Sequence, residues 1–384
     1  MLGPFGLKPK GTMAVRALPL AKALTRRGHA VVMILPPWSY SQDAGRVWDE
    51  DGVRIENVTI SPRAQIPFRL TEKARAFRPD VVHIFKPKGY AGIAQWLLWQ
   101  TRRVGSMNAR IVLDTDDWEG AGGWNDLEPY SFAQKKFFAW QEQWGLKHAD
   151  AVTVASRALE TIVWSLGVAR NQVLYLPNGV NPLPESNVTR EQIRAELNLN
   201  DAPVILLYTR FFEFDTTRLV EILARVFLQM PDAKLLLVGR GLFGEEKKFS
   251  EMATARGWRE RIVDAEWVEM EKLRAYFAAS DVAMFPFDDT LVNRCKCSVK
   301  LIDLLANGVP VVAECVGQIQ EYISHNETGM LVKPNDVNAF ANSVVELLND
   351  KAKRARLGAN AIGRMKQDFD WENLAASVEE IYRV

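Results

Sequence analysis

Residues 298–313 read SVKLIDLLANGVPVVA, and this stretch joins a helical pattern directly to an apolar run. The apolar spacing over residues 299–306 predicts a short amphipathic helix. Asn307 and Gly308 predict where that helix ends, and residues 309–313 are typical of a strand buried on both faces. A helix that leads directly into a buried strand indicates an α/β domain with a parallel sheet.

The same alternation of strand and helix patterns runs along the chain in two series. Apolar runs predict strands at 30–35, 81–85, 110–114 and 151–154, and then at 204–208, 234–238, 282–285 and 309–313. Amphipathic patterns predict helices between strands of the first series, at 13–27, 89–104 and 132–147. Turn residues cluster at 176–184, between the two series. We therefore predict an α/β fold with two similar domains that are joined once near residue 180.

Composition limits the class of protein. The chain has 384 residues, of which 48% are apolar and 25% are charged, as in an ordinary soluble protein of two or three domains. No apolar stretch is long enough to predict a membrane-spanning helix. Three cysteines make neither a disulfide framework nor a zinc site, and charged residues interrupt the apolar stretch near the N-terminus. We expect a reduced, cytoplasmic protein.

The two halves differ in charge and in aromatic content. Residues 1–178 carry 23 Lys/Arg against 16 Asp/Glu, whereas residues 179–384 carry 25 against 31. Nine of the twelve tryptophans also precede Val168. Either the halves meet different partners, or their opposite charges attract one another across a cleft.

The start of the helix at 299–306 has the features of an anion site. Ser298 is a favourable N-cap, and the N–H groups of Val299, Lys300 and Leu301 lie at the positive end of the helix dipole. Lys300 adds a full charge, and Asp303 can accept a hydrogen bond from a ribose hydroxyl. Arg210 follows the strand at 204–208 and would supply a second cation. This combination indicates a binding site for a diphosphate.

Acidic residues follow the predicted strand at 110–114. Asp114, Asp116 and Asp117 lie within four positions and should raise one another's pKa. They could bind Mg²⁺ or Mn²⁺ through hard oxygen ligands. Alternatively, they could accept hydrogen bonds from the hydroxyls of an acceptor, with Trp118 or Trp124 stacked on a sugar ring.

Residues 239–244 match the spacing G-x-G-x-x-G after a strand. A dinucleotide fingerprint normally follows the first strand of its domain, whereas Gly239 and Gly241 follow the second strand of theirs. Three interpretations stay open: a plain turn between strand and helix, a contact with a phosphate or sugar nucleotide, and an NAD site, for which Asp264 would be the ribose-binding acid.

Histidines and lysines of the first half have different predicted roles. His29 follows a helix end and is expected to satisfy the last carbonyls of that helix. His83 lies inside an apolar run and is expected in the core. Lys86 and Lys88 follow that run, where basic groups could meet an anionic acceptor.

Two helices of the first half are rich in aromatic residues. Residues 92–103 contain Trp96 and Trp99, and residues 133–147 place Phe137, Trp140 and Trp144 at helical spacing near lysines. These aromatic side chains either pack the helices on the sheet or dock the domain on anionic lipid.

The stretch at 298–313 resembles the donor-binding signature of retaining glycosyltransferases of the GT-B fold, family 4-like (glycosyl transferases group 1). Gly317, Glu321 and residues 328–332 continue the likeness, and further matching pieces lie at 25–31, 149–156, 176–180, 210, 238–241 and 369–371. The resemblance implies two Rossmann-like, doubly wound domains that face one another across a cleft. It also implies an acceptor-side domain over residues 1–178, a nucleotide-sugar-binding domain over 179–370, and a helix at 371–384 that returns to the first domain.

The resemblance assigns roles to particular residues. Asp303 would bind the donor ribose, and Arg210 would neutralise the leaving diphosphate together with Lys300. The loop that contains Gly6, Gly11 and Thr12 would approach the diphosphate and the donor sugar.

Two positions depart from the family pattern. The first acid of the signature falls on Cys295, and the lysine that follows the family's arginine is replaced by Asp215 and Thr216. Lys300 would compensate for the lost positive charge, because both groups would point at phosphate.

We expect a glycosyltransferase that retains the anomeric configuration, with a UDP or GDP sugar as co-substrate and with no metal or further cofactor. The partners implied are a nucleotide sugar and a glycan or lipid-linked acceptor, without nucleic acid, and with peripheral contact of the first domain at the inner face of the membrane. Two alternatives stay open: a non-catalytic sugar-nucleotide-binding protein, and a metal-dependent transferase that uses the cluster at 114–117.

Overall fold

The computed structural model describes residues 1–9 and 11–383, and backbone contacts divide them into two units. The first unit comprises residues 1–179, 294–297 and 369–383, and the second comprises Val180–Asn293 and Ser298–Asp368. Lys10 of the predicted glycine loop and Val384 of the predicted last helix lie outside the described residues.

The first unit contains two groups of strands. The strands are β1 Val32–Leu35, β2 Val47–Glu50, β3 Val53–Asn57, β4 Val81–Phe85, β5 Arg110–Thr115, β6 Ala151–Val154 and β7 Val173–Tyr175. They form a sheet of order β1-β3-β2, in which β2 is antiparallel, and a parallel sheet of order β4-β5-β6-β7. Leu2 forms a single-residue parallel bridge to Ile34 and another to Ile84, so it joins the two groups. The parallel strands direct their carboxyl ends to one edge, where the loops after β4 and β5 carry the predicted polar residues.

Helices separate these strands as the periodicity predicted. They are α1 Leu18–Arg26, α2 Ile66–Ala76, α3 Tyr90–Arg103, α4 Trp124–Leu127, α5 Phe132–His148 and α6 Arg157–Ser165. The predicted helix at 13–27 differs in its first turn, because Met13–Ala17 forms a π-helical turn before α1 begins. The predicted strand at 30–35 begins only at Val32.

The second unit is a doubly wound parallel sheet. Its strands are β8 Val204–Tyr208, β9 Lys234–Val238, β10 Ile262–Asp264, β11 Val282–Phe285, β12 Val311–Glu314 and β13 Met330–Val332. The order β10-β9-β8-β11-β12-β13 places the first and fourth of these strands side by side at the centre. In such a sheet the ligand binds beyond the carboxyl ends of the strands, near the point where the strand order reverses.

The remaining helices cover this sheet and close the chain. They are α7 Arg190–Glu196, α8 Thr216–Gln229, α9 Glu245–Ala255, α10 Met270–Ala279, α11 Leu291–Cys295, α12 Val299–Ala306, α13 Ile319–Tyr322, α14 Val337–Asn349, α15 Lys351–Asp368 and α16 Trp371–Arg383. The core of this unit forms where apolar side chains of α8 and α14, among them Leu223 and Val344, pack with Leu235 of β9. In residues 1–9 and 11–383, no helix is both long and apolar enough to cross a bilayer.

The last helix packs against α1 in the first unit. Arg27 Nε and Nη2 donate to the Glu379 carboxylate at 2.8 and 2.9 Å, and His29 Nε2 lies 2.9 Å from the same group. As expected for a residue after a helix end, the His29 N–H donates to the carbonyl of Leu24 at 3.1 Å, while its ring contacts α16. Together these contacts fix α16 on α1.

Candidate functional site

The predicted residues of α12 lie at the carboxyl end of β8. Lys300 Nζ lies 3.4 Å from the centroid of the Tyr208 ring, and Tyr208 is the last residue of β8. Asp303 is buried one turn further along α12. Burial, with the nearby charge of Asp303, raises the pKa of Tyr208. The fold therefore brings a lysine, a carboxylate and an aromatic ring together at the predicted ligand edge.

The start of α12 differs from the sequence prediction in one respect. Ser298 occupies the N-cap position, but its side chain forms no capping hydrogen bond. Its ψ is 111°, whereas Ser131 and Ser156, which do cap their helices, have ψ of 158° and 157°. The amides of Val299 and Leu301 are not capped by this hydroxyl, as an anion site at a helix start requires.

Arg210 lies two residues beyond β8. Its side chain is exposed, and its guanidinium carbon lies 6.0 Å from the centroid of the Phe212 ring. Phe211 between them is buried and has φ of 66°, a left-handed conformation, and its N–H donates to Thr209 Oγ1 at 2.8 Å. This turn points Arg210 outward. Arg210 and Lys300 thus both lie at the carboxyl end of β8.

The glycine turn after β9 is shaped by two close approaches. Gly239 has φ of 119°, and a Cβ on it would lie 2.1 Å from the carbonyl oxygen of Thr209. Gly241 N–H donates to the Glu246 carboxylate at 3.0 Å. Gly239 is thus required for the contact between β8 and β9, whereas an anion at Gly241 would have to displace Glu246. Their assignment to the donor stays a prediction.

Sequence reasoning missed a buried ion-pair group under this edge of the second unit. Glu314, the last residue of β12, accepts from the N–H groups of Phe287 and Asn335, each at 2.7 Å. Arg218 of α8 pairs with Glu314 and also with Asp288. These residues are 70 and 96 positions from Arg218, and no local pattern links them. They hold the loops after β11 and β13 to α8.

In the first unit, both carboxylate oxygens of Asp114 are hydrogen-bonded to other side chains of the protein. Arg16 donates to its two carboxylate oxygens at 2.8 and 2.6 Å, and Thr153 Oγ1 donates at 2.5 Å. Arg16 also donates to Asn178 Oδ1 at 3.1 Å. The carboxylate of Asp114 therefore links the turn before α1 to the sheet and is not directed at a ligand.

Asp116 is the acid of this cluster with an open acceptor. Thr12 Oγ1 donates to its Oδ2 at 2.6 Å, whereas its buried Oδ1 has no hydrogen-bond partner in the described parts of the chain. Lys86 Nζ lies 3.2 Å from that oxygen. Burial raises the pKa of Asp116 to about 6, helped by the charges of Asp117 and Asp114 and opposed by Lys86.

Lysines surround the other acids of the cluster. Lys86 Nζ lies 2.7 Å from Asp117 and 3.6 Å from Glu119, and Lys88 Nζ lies 2.6 Å from Glu119. Burial by itself lowers the pKa of Lys86, but Asp116, Asp117 and Glu119 raise it well above its usual range. Lys86 is therefore a permanent cation inside the acid cluster.

This geometry does not suit a metal ion. Arg16 saturates Asp114, and the Lys86 ammonium occupies the space between Asp116 and Asp117 where a cation would bind. Across residues 1–9 and 11–383, no group of three or more His, Cys, Asp or Glu side chains is placed to hold a metal. The metal-dependent alternative based on residues 114–117 is therefore not favoured.

The glycine loop of the first unit leads into Thr12. A Cβ on Gly6 would lie 3.1 Å from Pro37, and one on Gly11 would lie 3.4 Å from the Phe5 ring. The loop therefore passes close to the segment after β1, and it places Thr12 beside Asp116.

Two further residues near the cluster were not recognised as a group. Asn125 is 2% exposed, and neither polar atom of its side chain has a partner within the described residues. Cys295, where the family signature has an acid, is buried in the same unit as Asp117 and Glu142. Burial, then the charges of those two acids, raise the pKa of Cys295 to about 12. The thiol is therefore neutral, and a carboxylate at this position would meet two others.

His83 is a core residue, as expected. Its Nδ1 lies 2.8 Å from the Tyr382 hydroxyl and its Nε2 lies 3.2 Å from Thr153 Oγ1. Burial lowers the pKa of His83 to about 3, so the ring is neutral near pH 7. It anchors α16 and does not face the acid cluster as a base.

Known glycosyltransferases match this chain along nearly its whole length. Residues 11–179 match the family model described as Glycosyl transferase 4-like domain, and residues 202–350 match that of Glycosyl transferases group 1. The D-inositol 3-phosphate glycosyltransferase of Xylanimonas cellulosilytica is 26% identical over 98% of this chain and 92% of its own. The GDP-mannose-dependent alpha-(1-6)-phosphatidylinositol monomannoside mannosyltransferase of Mycobacterium tuberculosis is 26% identical over 93% and 90%.

Solved structures share the architecture. Sucrose-phosphate synthase from Thermosynechococcus elongatus superposes with a TM-score of 0.73 at 24% identity, over 100% of this chain and 97% of that one. HepE of Anabaena, solved with UDP and glucose, gives a TM-score of 0.71 at 18% identity, over 99% and 97%. At this level of identity the likeness establishes the fold, which is GT-B with two Rossmann-like domains.

Proposed function

Because this chain is a glycosyltransferase with the GT-B fold, we propose that it transfers a sugar from a nucleotide-diphosphate donor to a hydroxyl acceptor, with retention of anomeric configuration. The donor is of the UDP or GDP type. The acceptor is a glycan, a glycolipid or a small polyol.

The observation that carries this proposal is the contact of Lys300 with Tyr208, at 3.4 Å from the ring centroid, beside the uncapped start of α12. A cation held over an aromatic ring is oriented by the face of that ring. Together with Arg210 beyond the same strand, it suits a ligand with two negative phosphates.

In this proposal, the bond between the anomeric carbon and the diphosphate oxygen breaks, and the electron pair leaves with the diphosphate. The acceptor oxygen forms the new bond to the anomeric carbon, and its hydroxyl proton passes to the leaving diphosphate. Lys300, Arg210 and the amides of Val299 and Leu301 stabilise the charge that develops on the leaving group. Asp303 accepts a hydrogen bond from the donor ribose.

On the acceptor side, Asp116 and Asp117 position the reacting hydroxyl. Within the described residues, the buried Oδ1 of Asp116 accepts no hydrogen bond, although Lys86 Nζ lies 3.2 Å away, so a hydroxyl that donates to it would add one. Asn125 supplies both a donor and an acceptor for a second hydroxyl. Lys86 keeps the cluster close to neutral, so that binding of the acceptor does not bury several negative charges.

The names of two relatives support a proposal for the acceptor class. One acts on D-inositol 3-phosphate and another on a phosphatidylinositol mannoside, according to their names. We therefore propose an acceptor with several vicinal hydroxyls and a phosphate, either free or linked to lipid.

The first experiment is calorimetric titration of the intact protein with UDP, GDP and ADP, and with the glucose and mannose forms of each. We expect one nucleotide to bind in micromolar range or tighter, and its sugar form to turn over when inositol phosphate is added. NMR of the product should show the donor's anomeric configuration. If no nucleotide diphosphate binds, the proposal is wrong. Binding without any turnover would instead favour the non-catalytic alternative, and loss of turnover with chelator would favour the metal-dependent one.

A further inference from the structure

Helix α5 exposes aromatic side chains and buries polar ones. Phe137 is 42% exposed and Trp140 is 49% exposed, whereas Gln141 and Glu142 are buried at 2% and 1%. An amphipathic helix of a soluble domain normally buries its apolar face. The interpretation that Phe137 and Trp140 pack α5 on the sheet is therefore wrong.

Polar contacts explain how the helix stays in place without these rings. Gln141 accepts from Gly89 N–H at 2.8 Å and donates to Gly89 O at 3.0 Å. Glu142 accepts from Glu119 N–H at 3.2 and 3.3 Å, and the carbonyl of Gly145 accepts from Gln95 at 2.9 Å. Hydrogen bonds on the inner face anchor α5. Its outer aromatic side chains are not needed for that purpose.

The exposed rings continue onto the neighbouring helix. Trp140 is stacked near Phe137 and Trp144, with ring centroids 5.9 and 6.1 Å apart. Trp99 of α3 meets Trp144 edge-on at 5.5 Å, and Trp96, one turn earlier on α3, is 39% exposed. We call these five residues the aromatic surface. A contiguous exposed patch of this kind marks an interaction site.

Charge on the two helices has a single sign outside the core. Over α3 and α5 the only acidic residue is Glu142, which is buried. The basic residues of these helices are Arg102, Arg103, Lys135, Lys136 and Lys147, of which Arg102 pairs with Asp150 and Lys135 lies 3.8 Å from Asp126. Arg103 lies over the Trp99 ring at 4.8 Å and Lys136 lies over the Phe132 ring at 5.5 Å, so cations are interleaved with the rings.

We propose that the aromatic surface docks this unit onto the headgroup region of an anionic phospholipid bilayer. Tryptophan and phenylalanine insert at the boundary between headgroups and acyl chains, and neighbouring lysines and arginines pair with the lipid phosphates. A second copy of the chain is a poorer occupant, because self-association would bring two surfaces of the same positive sign together. The bilayer supplies the opposite charge.

This surface lies on the side of α5 opposite Glu142, whose carboxylate contacts the loop of the acid cluster. A helix is about 10 Å across, so docking would hold that cluster about one helix diameter from the headgroups. Only this last step rests on the proposed function. Docking itself does not.

The test is cosedimentation of the intact protein with sucrose-loaded vesicles of equal phosphatidylglycerol and phosphatidylcholine, compared with pure phosphatidylcholine, at low and high salt. We expect binding to the anionic vesicles that weakens as salt rises. Absence of binding to anionic vesicles at low salt overturns the proposal. Equal binding to both vesicle types overturns its electrostatic part.

Two variant pairs locate the surface. Phe137→Ala with Trp140→Ala should weaken vesicle binding at least about tenfold, because two large rings no longer enter the interface. The matched control is Phe68→Ala with Trp267→Ala, which removes the same ring types at positions exposed by 60% and 72% elsewhere. Lys136→Gln with Lys147→Gln should weaken binding about fivefold per lysine, because both are exposed on α5, and Lys247→Gln with Lys248→Gln should not. Thermal melting of each variant confirms that it is folded.

If the control pairs weaken binding as much as the test pairs, the surface is not the docking site. If Phe137→Ala with Trp140→Ala changes the oligomeric state by light scattering and leaves vesicle binding unchanged, the surface belongs to self-association, and the proposal is overturned. Turnover of a water-soluble acceptor without vesicles should be the same in all four double variants. Its loss in every variant would concern the proposed function and not the docking.

Discussion

Arg16 donates two hydrogen bonds to the carboxylate of Asp114, at 2.8 and 2.6 Å, and both side chains are fully buried. The pair joins the turn before α1 to the strand β5, across 98 positions of sequence. It also removes the first acid of the 114–117 cluster from any ligand, so that Asp116 and Asp117 alone remain at the edge of the sheet.

Breaking this pair on one side should be costly. Arg16→Met leaves a buried carboxylate without its cation, and we expect the free energy of unfolding to fall by about 3–5 kcal/mol. Arg16→Met with Asp114→Asn should cost less than the two single changes summed. Urea denaturation measures all four proteins. Arg54→Met is the control, because Arg54 pairs with Glu56 through an exposed guanidinium. Loss of such an exposed pair costs about 1 kcal/mol or less. A similar cost for both arginines would contradict the role of the buried pair.

The leaving-group cations should dominate turnover. We expect Arg210→Ala and Lys300→Ala each to lower kcat by about 10²–10³, because each removes a group that stabilises developing charge. Asp303→Ala should mainly raise the donor KM. The control is Arg256→Ala, an exposed arginine that also lies against an aromatic ring, 5.4 Å from Trp258. Wild-type turnover by Arg210→Ala would show that another group neutralises the diphosphate.

The ring under Lys300 should matter more than its hydroxyl. Tyr208→Phe keeps the aromatic face and should retain kcat. Tyr208→Leu removes the cation–π contact, worth about 0.5–2 kcal/mol, and should lower kcat by about 2- to 30-fold. Steady-state kinetics at saturating donor measures the difference. Equal rates for Phe and Leu at this position would mean that the ring does not orient Lys300.

Asp116 should make stability depend on pH. Its pKa is raised to about 6 in the folded protein, from an ordinary value of 3.8, so the folded state binds the proton more tightly than the unfolded state. The free energy of unfolding should therefore fall by about 3 kcal/mol as pH rises from about 4 to 6, and then level off. The measurement is the difference in urea stability between wild type and Asp116→Asn at each pH. The control is Asp232→Asn, which replaces an exposed acid and should show the same dependence of stability on pH as wild type. If Asp116→Asn also showed the wild-type dependence, Asp116 would not be the group with the raised pKa.

A carboxylate in place of the Cys295 thiol should lower the free energy of unfolding. Cys295→Ala removes one buried atom and should cost about 1–2 kcal/mol. Cys295→Glu places a carboxylate beside Asp117 and Glu142, and should cost about 3 kcal/mol or more above pH 6, with a smaller cost near pH 4 where it is protonated. The partly exposed Cys315→Glu is the control and should cost under about 1 kcal/mol. If Cys295→Glu is as stable as wild type at pH 7, the neighbouring acids do not set the residue type here.

Local patterns were sufficient for the order of the elements and for the helix that holds Lys300 and Asp303. Strand alternation and the helix-to-strand succession at 298–313 depend on backbone geometry over a few residues, so they can be read without a structure. Ser298 occupies the predicted N-cap position, but its hydroxyl forms no capping hydrogen bond, which residue type alone does not guarantee.

The sequence by itself determined the α/β alternation and the charged residues on α12, because each depends on side-chain spacing within one element. Only the tertiary structure decided which partners those residues meet. Arg218 finds Glu314, Arg16 finds Asp114, and α5 turns Trp140 outward because hydrogen bonds from distant loops hold its opposite face. These pairings depend on contacts between residues far apart in sequence. Helical spacing shows which residues share a face, but it does not show whether that face is buried or exposed.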